Sequence, residues 1–261
     1  MRITGMGMAY KAGLCLGVYL LLPAATSAAG GSLSGAPMTA DAQEWHFSVS
    51  PYIWGAGVEG DVGHKRTGKS HVKLDFSDVA RNLDVAFMGL MEARKGPYSI
   101  LADIMYSDST TKTDLPSSRL DTKSKTASGF LGAGYTLLQD GKSHLDVIAG
   151  GRIWYSKTTL ALHGGAIDGT QRSDSATWVD AVAGMRGHYA MTEHIFLTGW
   201  GTAGGGQARF DWDMAGLLGY QFGSTVAVLA GYRAMGVNYQ HDGFVYDMVQ
   251  QGPVIGMTVG F

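Results

Sequence analysis

The 261-residue sequence is poor in cysteine, in charge and in long apolar runs. Its one cysteine, Cys15, lies in an early segment that we expect to be removed during export. The mature chain would then hold no disulfide, although exported proteins often depend on disulfides for stability. A closed, fully hydrogen-bonded sheet is one structure that can replace them.

Charged residues make up only 16% of the chain, and the net charge is −2. Because there is no basic surplus, we expect no nucleic-acid partner. After the first 30 residues no apolar run reaches helix length, so a membrane-spanning chain would have to cross with strands. Glycine is abundant, with 39 residues and no period of three, which excludes collagen and favours bends and close approaches between strands.

The first 28 residues have the pattern of a secretory signal peptide. Arg2 and Lys11 precede an apolar run over 12–22, and small residues follow, with cleavage expected after Ala28 or Ala29. An anchoring helix is the alternative, but the run is about half of the ~20 residues that a span needs. We expect residues 29–43 to form a flexible leader and residues 44–261 to form one domain.

The last residues alternate between apolar and small side chains. Phe261, Val259 and Met257 face one side of a strand, while Gly260 and Thr258 face the other. A strand that has one apolar face and finishes on an aromatic residue is typical of a barrel wall that ends at a membrane interface.

Similar alternation occurs along the whole domain and predicts ten strands. Short turns at one end and longer connections at the other, above all 59–83 and 108–122, favour an antiparallel up-and-down transmembrane β-barrel, with eight or twelve strands as alternatives. Within 59–83, alternating apolar residues are compatible with an extra hairpin outside the membrane, and 76–83 with one helical turn. The predicted strands are 45–58, 84–95, 98–107, 123–138, 143–161, 176–190, 194–207, 209–222, 225–240 and 244–261.

Aromatic residues support a membrane over a soluble barrel. Phe210 and Phe222 share a face and lie twelve residues apart, which corresponds to roughly 30 Å along the membrane normal at a rise of ~3.3 Å per residue and a tilt of ~40°. The alternative is a water-soluble barrel such as a lipocalin, with its apolar face inward. On the membrane interpretation Val147, Val182 and Ile255 face lipid.

Charged residues fall on the opposite face of the strands. The similar segments 147–152, 181–186 and 228–233 each end in an arginine, and in the first two an acid lies six residues earlier, on the same face. A basic side chain facing lipid near the midplane would cost ~2–4 kcal/mol, so we expect these charges inside. His188, Asp211 and Asp213 join them there. The predicted lumen charge network is Glu92, Arg94, Asp103, Asp146, Arg152, Asp180, Arg186 and Arg233.

The interior network favours a structural or interaction role with a mostly closed, salt-bridged lumen, because side chains alone fill a barrel of about eight strands. A narrow channel for small polar or amphipathic solutes is one alternative. A membrane-embedded hydrolase acting on lipid A or peptide is another.

The charged interior, the strand pattern and the terminal Phe261 resemble the small outer-membrane β-barrel proteins of Gram-negative bacteria, of the OmpA and OmpW type. The resemblance covers residues 44–261 and implies a location in the outer membrane, in contact with its lipids and lipopolysaccharide. It also implies that Phe261, Val259 and Met257 form the signal read by the barrel assembly machinery. No specific activity follows, since such barrels have mixed functions.

Two glycine-rich motifs resemble nucleotide sites. Residues 63–70 match the phosphate-loop pattern, but 71–76 alternate like a strand, and no helix opens to direct amides at a phosphate. Residues 55–60 match a dinucleotide fingerprint without its βαβ unit. We therefore expect no nucleotide and no cofactor, and we assign Lys65, Arg66 and Lys69 as a candidate contact for lipopolysaccharide phosphates.

Two residue pairs are candidates for catalysis. His46 and Ser48 share one face and Asp211 and Asp213 share another, but neither pair has a third partner at an informative spacing. We interpret both pairs as polar lumen groups and predict no catalytic site. The eight histidines are scattered without ligand spacing, so we predict no metal site either.

Overall fold

The structure is a computed structural model that describes residues 44–64, 68–115, 118–164 and 169–261. The predicted signal peptide, 1–28, and the predicted leader, 29–43, lie outside the described residues. In the described part of the chain, no helix has the length and apolar character needed to cross a membrane.

Alternating sequence gives long, regular strands. In the described ranges there are twelve strands and one short helix, α1 (Phe76–Arg81). The strands are β1 (His46–Trp54), β2 (Gly57–His64), β3 (Gly68–Leu74), β4 (Leu83–Lys95), β5 (Tyr98–Leu115), β6 (Ser118–Asp140), β7 (Ser143–His163), β8 (Gln171–Ala190), β9 (Ile195–Gly206), β10 (Phe210–Phe222), β11 (Val226–His241) and β12 (Phe244–Gly260).

Ten of these strands close into a barrel. Strand β1 pairs with β4, consecutive strands from β4 to β12 pair in order, and β12 pairs back onto β1, all antiparallel. The hairpin of β2 and β3 continues the sheet from the first half of β12, Phe244–Gln251, which lies away from the short turns. The predicted ten-stranded barrel is confirmed, together with the extra hairpin and the helical turn between 59 and 83.

The predicted strand 45–58 is wrong in one respect, because it is two strands with a break at Gly55 and Ala56. A Cβ on Gly252 would lie 2.0 Å from the carbonyl oxygen of Gly55, so β12 passes unusually close to the chain at this point. The ring of Phe76 lies against the other side of Gly55. The break moves β2 away from β4, which pairs with β1 only as far up as Pro51.

The predicted loop 108–122 is also wrong. Strands β5 and β6 stay paired as far as Leu115 and Ser118. Beyond the apolar belt, which is the band of outward apolar side chains that faces lipid, most residues on both faces of this hairpin are polar. Their hydropathy no longer alternates there, although the strands continue. Strands β7 and β8 extend in the same way, up to the pair of Ala161 and Gln171.

The two faces of the wall match the predicted sidedness. Phe210, Phe222 and Ile255 point outward, with 50%, 57% and 52% of their surfaces exposed. Val182 is the exception, because it is buried on the lumen side. Its position follows from strand geometry, since it lies an even number of residues from Asp180 and therefore shares the inward face.

Candidate functional site

A first group of charges fills the lumen near the short turns, and we call it the turn-side layer. The Arg94 Nε donates to Glu92 Oε1 at 2.9 Å, and its Nη2 contacts Asp146. Arg186 contacts the second oxygen of Glu92 at 2.8 Å, and the Thr136 hydroxyl donates to Asp146 at 2.7 Å. These side chains come from β4, β6, β7 and β8, so the layer ties distant parts of the wall together.

A second group, the mid-lumen layer, is built around Arg233 and Arg152. The Arg233 Nη2 donates to Asp213 at 2.6 Å and to Asp103 at 3.0 Å. Arg152 contacts Asp211 through Nη1 and Asp213 through Nη2, the latter at 3.2 Å. Asp213 therefore joins the two arginines, and each arginine contacts two carboxylates.

Aromatic rings enclose the mid-lumen layer. The Arg233 guanidinium carbon lies 5.4 Å from the ring centroid of Trp54 and 5.4 Å from that of Trp200, within the range of cation–π attraction. The Tyr52 hydroxyl accepts from Arg233 at 3.1 Å and donates to Asp103 at 2.5 Å. Arg233 is consequently one of the most deeply buried large side chains in the described residues.

Further from the short turns, an aromatic cap fills the lumen. Trp178 stacks on Tyr239 with centroids 4.4 Å apart and on Trp154 at 5.9 Å, and Tyr246 tilts against it at 5.5 Å. The Trp154 Nε1 donates to Asp211 at 2.8 Å, which links the cap to the mid-lumen layer. All four rings are buried.

The layers leave little free volume. A cavity of about 40 Å³ lies between them, bordered by Phe130, Arg152 and Arg186, and it has room for only a few water molecules. The side chains of Arg94 and Arg186 are 8% and 6% exposed, and Asp103 is the most accessible of the paired lumen acids at 12%. The charges of the lumen arginines are therefore balanced by lumen carboxylates, and together these side chains fill the middle of the barrel.

The structure brings together seven of the eight residues predicted for the lumen network. The eighth, Asp180, also faces inward, but it accepts a hydrogen bond from the backbone of Ala208 at 2.7 Å. Arg94 pairs with Glu92 on its own strand and with Asp146 on β7, whereas Arg152, Arg186 and Arg233 pair with acids on other strands. Sequence reasoning missed Tyr52, Trp54 and Trp200, although their inward parity on β1 and β9 was readable.

The residue pairs considered for catalysis lie in the lumen wall. Asp211 and Asp213 are partners of the mid-lumen arginines. Ser48 is buried opposite Glu92, and His46 lies opposite Arg94. Across the described ranges, no group of three or more His, Cys, Asp or Glu side chains is placed to hold a metal ion.

The other predicted sites lie at the edges of the barrel. Lys65 and Arg66 fall outside the described residues, and only the backbone of Lys69, on β3, is described. Phe261 exchanges backbone hydrogen bonds of 2.9 Å with Phe47 and stacks on its ring. Met257 and Val259 face outward on the same strand, Met257 exposed and Val259 half-buried; recognition of these residues by the assembly machinery stays a prediction.

A closed antiparallel sheet with apolar side chains outside and paired charges inside defines a transmembrane β-barrel, the only sheet that satisfies every backbone group in lipid. The fold is that of the outer-membrane β-barrels. No protein-family model matches the chain, and no curated protein sequence matches it.

The chain is similar to several solved outer-membrane barrels. The outer membrane protease OmpT from Escherichia coli is 11% identical, with a TM-score of 0.52 over 84% of this chain and 97% of that chain. Ail, the attachment invasion locus protein of Yersinia pestis, is 9% identical, with a TM-score of 0.37 over 84% and 99%. Neisserial surface protein A is 15% identical, with a TM-score of 0.30 over 83% and 97%. At 11% identity the likeness to OmpT shows the fold alone.

Proposed function

We propose that the barrel is a non-conducting component of the outer membrane with a structural or interaction role, closed by its own salt bridges. The observation that carries the proposal is the burial of Arg233 between Trp54 and Trp200, with Asp103 and Asp213 as its ionic partners. This cluster occupies the middle of the lumen, where a channel would need open space.

The burial of the charges supports a plug over a narrow channel. In a conducting pore, charged rings line a path that hydrated ions can reach. Here Glu92, Asp146 and Asp213 are at most 3% exposed, so their partners are other side chains. Ten strands are only slightly wider than the eight that side chains fill completely.

The interaction role is supported by the part of the sheet that continues beyond the apolar belt. The β5–β6 hairpin pairs to Leu115 and Ser118, and the β2–β3 hairpin adds to β12 on the same end of the barrel. A largely polar sheet outside the membrane offers a surface for partners, whereas the middle of the lumen is filled by its own side chains.

Conductance in planar lipid bilayers tests the proposal. The refolded full-length protein is expected to give no steady current steps. An open outer-membrane porin inserted into the same bilayers is the positive control and should conduct. Ion-selective steps from the unmodified protein, similar to those of the porin, would overturn the proposed closed lumen.

A further inference from the structure

The outer faces of β5 and β7 each carry a tyrosine at the top of the apolar belt, and we call the two the tyrosine row. Tyr106 and Tyr155 flank Ala127 in register, and all three point outward. Amphipathic rings of this kind gather at the level of the lipid headgroups. Because this end of the barrel is opposite the short turns, the row lies at the outer leaflet.

Lysines follow directly above the tyrosine row. Lys125 lies beside Asp108 on one strand and Lys157 on the next, and Lys123 lies one outward position further up. Asp108 contacts Lys123 at 3.3 Å and Lys125 at 3.4 Å. Two ammonium groups therefore share one carboxylate, and with Lys157 the group of three lysines and Asp108 carries a net charge of +2.

Lys125 and Lys157 are direct cross-strand partners on the same face. Like charges in this position destabilise a sheet. Among the described residues, no carboxylate lies within ion-pair distance of Lys157. Thr159 and Ser173, whose hydroxyls lie 3.2 Å apart, add hydroxyl donors one row above. An anion bound between the lysines would convert the repulsion into attraction, and the hydroxyls could donate to it.

A shallow groove leads from the lysines into the apolar belt. Its floor is Ala127 and Gly129 on β6, and its sides are Ile104 on β5 and Ile153 on β7. Both isoleucines are more than 40% exposed, and a methyl of Ile153 leans toward Gly129. The groove is apolar and continuous with the membrane, so the anion that fits this place carries a hydrocarbon chain.

We propose that Lys123, Lys125 and Lys157 bind a phosphate of lipid A, the phosphorylated glucosamine lipid of the outer leaflet, with an acyl chain along the Ala127–Gly129 groove. Charge-assisted contacts between ammonium groups and phosphate oxygens supply the recognition. The site does not involve the lumen or the loop residues Lys65, Arg66 and Lys69. A test of this site is therefore independent of a test of the proposed closed lumen.

Lipid A binding to the full-length barrel in phosphatidylcholine nanodiscs, measured by native mass spectrometry, tests the site. The variant K125Q/K157Q should bind bisphosphorylated lipid A roughly tenfold more weakly, and dephosphorylated lipid A as the unmodified protein does. The variant K125R/K157R should retain binding. The control K112Q/R119Q removes two outward cations of the same β5–β6 hairpin further from the membrane, and it should bind normally. Equal loss in the control, or no loss in K125Q/K157Q, would overturn the proposal.

A second measurement separates binding from a structural effect of the lysines. Without lipid A, Lys157→Gln should raise the melting temperature, because it removes the repulsion with Lys125. With lipid A present, the same substitution should lower the melting temperature relative to the unmodified barrel. A shift of the same sign in both conditions would contradict a bound phosphate at this site.

Discussion

The two faces of one sheet treat charge in opposite ways. Inside, Arg94, Arg152 and Arg233 each contact two carboxylates and are almost completely buried. Outside, above the apolar belt, Lys157 faces Lys125 without an acid of its own. The interior must be neutral by itself, since a buried charge without a partner is severely destabilising. The outer face has no such requirement, because water and lipid headgroups can supply what the chain lacks.

The largest effect should come from breaking the interior balance. Arg233→Ala leaves Asp213 and Asp103 buried without their main cation and should lower the free energy of unfolding by about 3–5 kcal/mol. Urea unfolding of the barrel in phospholipid vesicles measures this change. The exposed Arg209→Ala is the matched control and should change stability by less than about 0.5 kcal/mol. Similar losses in the two variants would contradict the importance of the mid-lumen layer.

The two faces should also differ in how they tolerate an added methyl group, which changes no charge. In Gly231→Ala the new Cβ would lie 2.1 Å from the carbonyl oxygen of Gly216 on the neighbouring strand, which should cost about 1–3 kcal/mol. Gly216→Ala, on the outer face, meets nothing within 4 Å and should be nearly neutral. Equal melting temperatures for the two variants would argue against the close approach of β10 and β11.

The link between the mid-lumen layer and the aromatic cap should be worth less. Trp154→Phe keeps one aromatic ring but removes the donor to Asp211 and part of the buried ring volume, so we expect a loss of about 1–2 kcal/mol in the same unfolding measurement. Tyr232→Phe removes an outward hydroxyl from a half-exposed ring and serves as the control. A neutral Trp154→Phe would indicate that Arg152 alone satisfies Asp211.

The smallest effect is expected for an ion pair on the outer face. Lys73 contacts Glu59 at 3.1 Å, but both side chains are largely exposed, at 67% and 49%. Lys73→Gln should therefore lower stability by only about 0.2–0.5 kcal/mol, and less at high salt. A loss comparable to that of Arg233→Ala would remove the distinction between the two faces.

The sequence was sufficient for much of the fold, because alternation fixes which face each side chain occupies. It assigned Arg152 and Asp211 to the lumen correctly. It could not pair them, since they lie 59 residues apart and meet only after the barrel has closed. The same parity rule, applied strictly, would also have placed Val182 inside with Asp180.

The length of the strands was harder to predict than their faces. Hydropathy alternates only where one face meets lipid, so the polar pairs between Asp108 and Lys125 or Lys112 and Asp121 gave no strand signal. The break at Gly55 was likewise hidden, because it depends on how closely β12 passes the chain. Both features arise from register, which a single sequence does not specify.

The break between β1 and β2 has a mechanical consequence. Strand β1 pairs with β4 only from His46 opposite Arg94 to Pro51 opposite Gly89. Strands β6 and β7, in contrast, are paired from Arg119 opposite His163 to Asp140 opposite Ser143. Under a pulling force the short pairings of β1 should separate before the long pairing of β6 with β7. Single-molecule extraction from a bilayer would detect this as separation of β1 from β4 at a lower force than any step that parts β6 from β7.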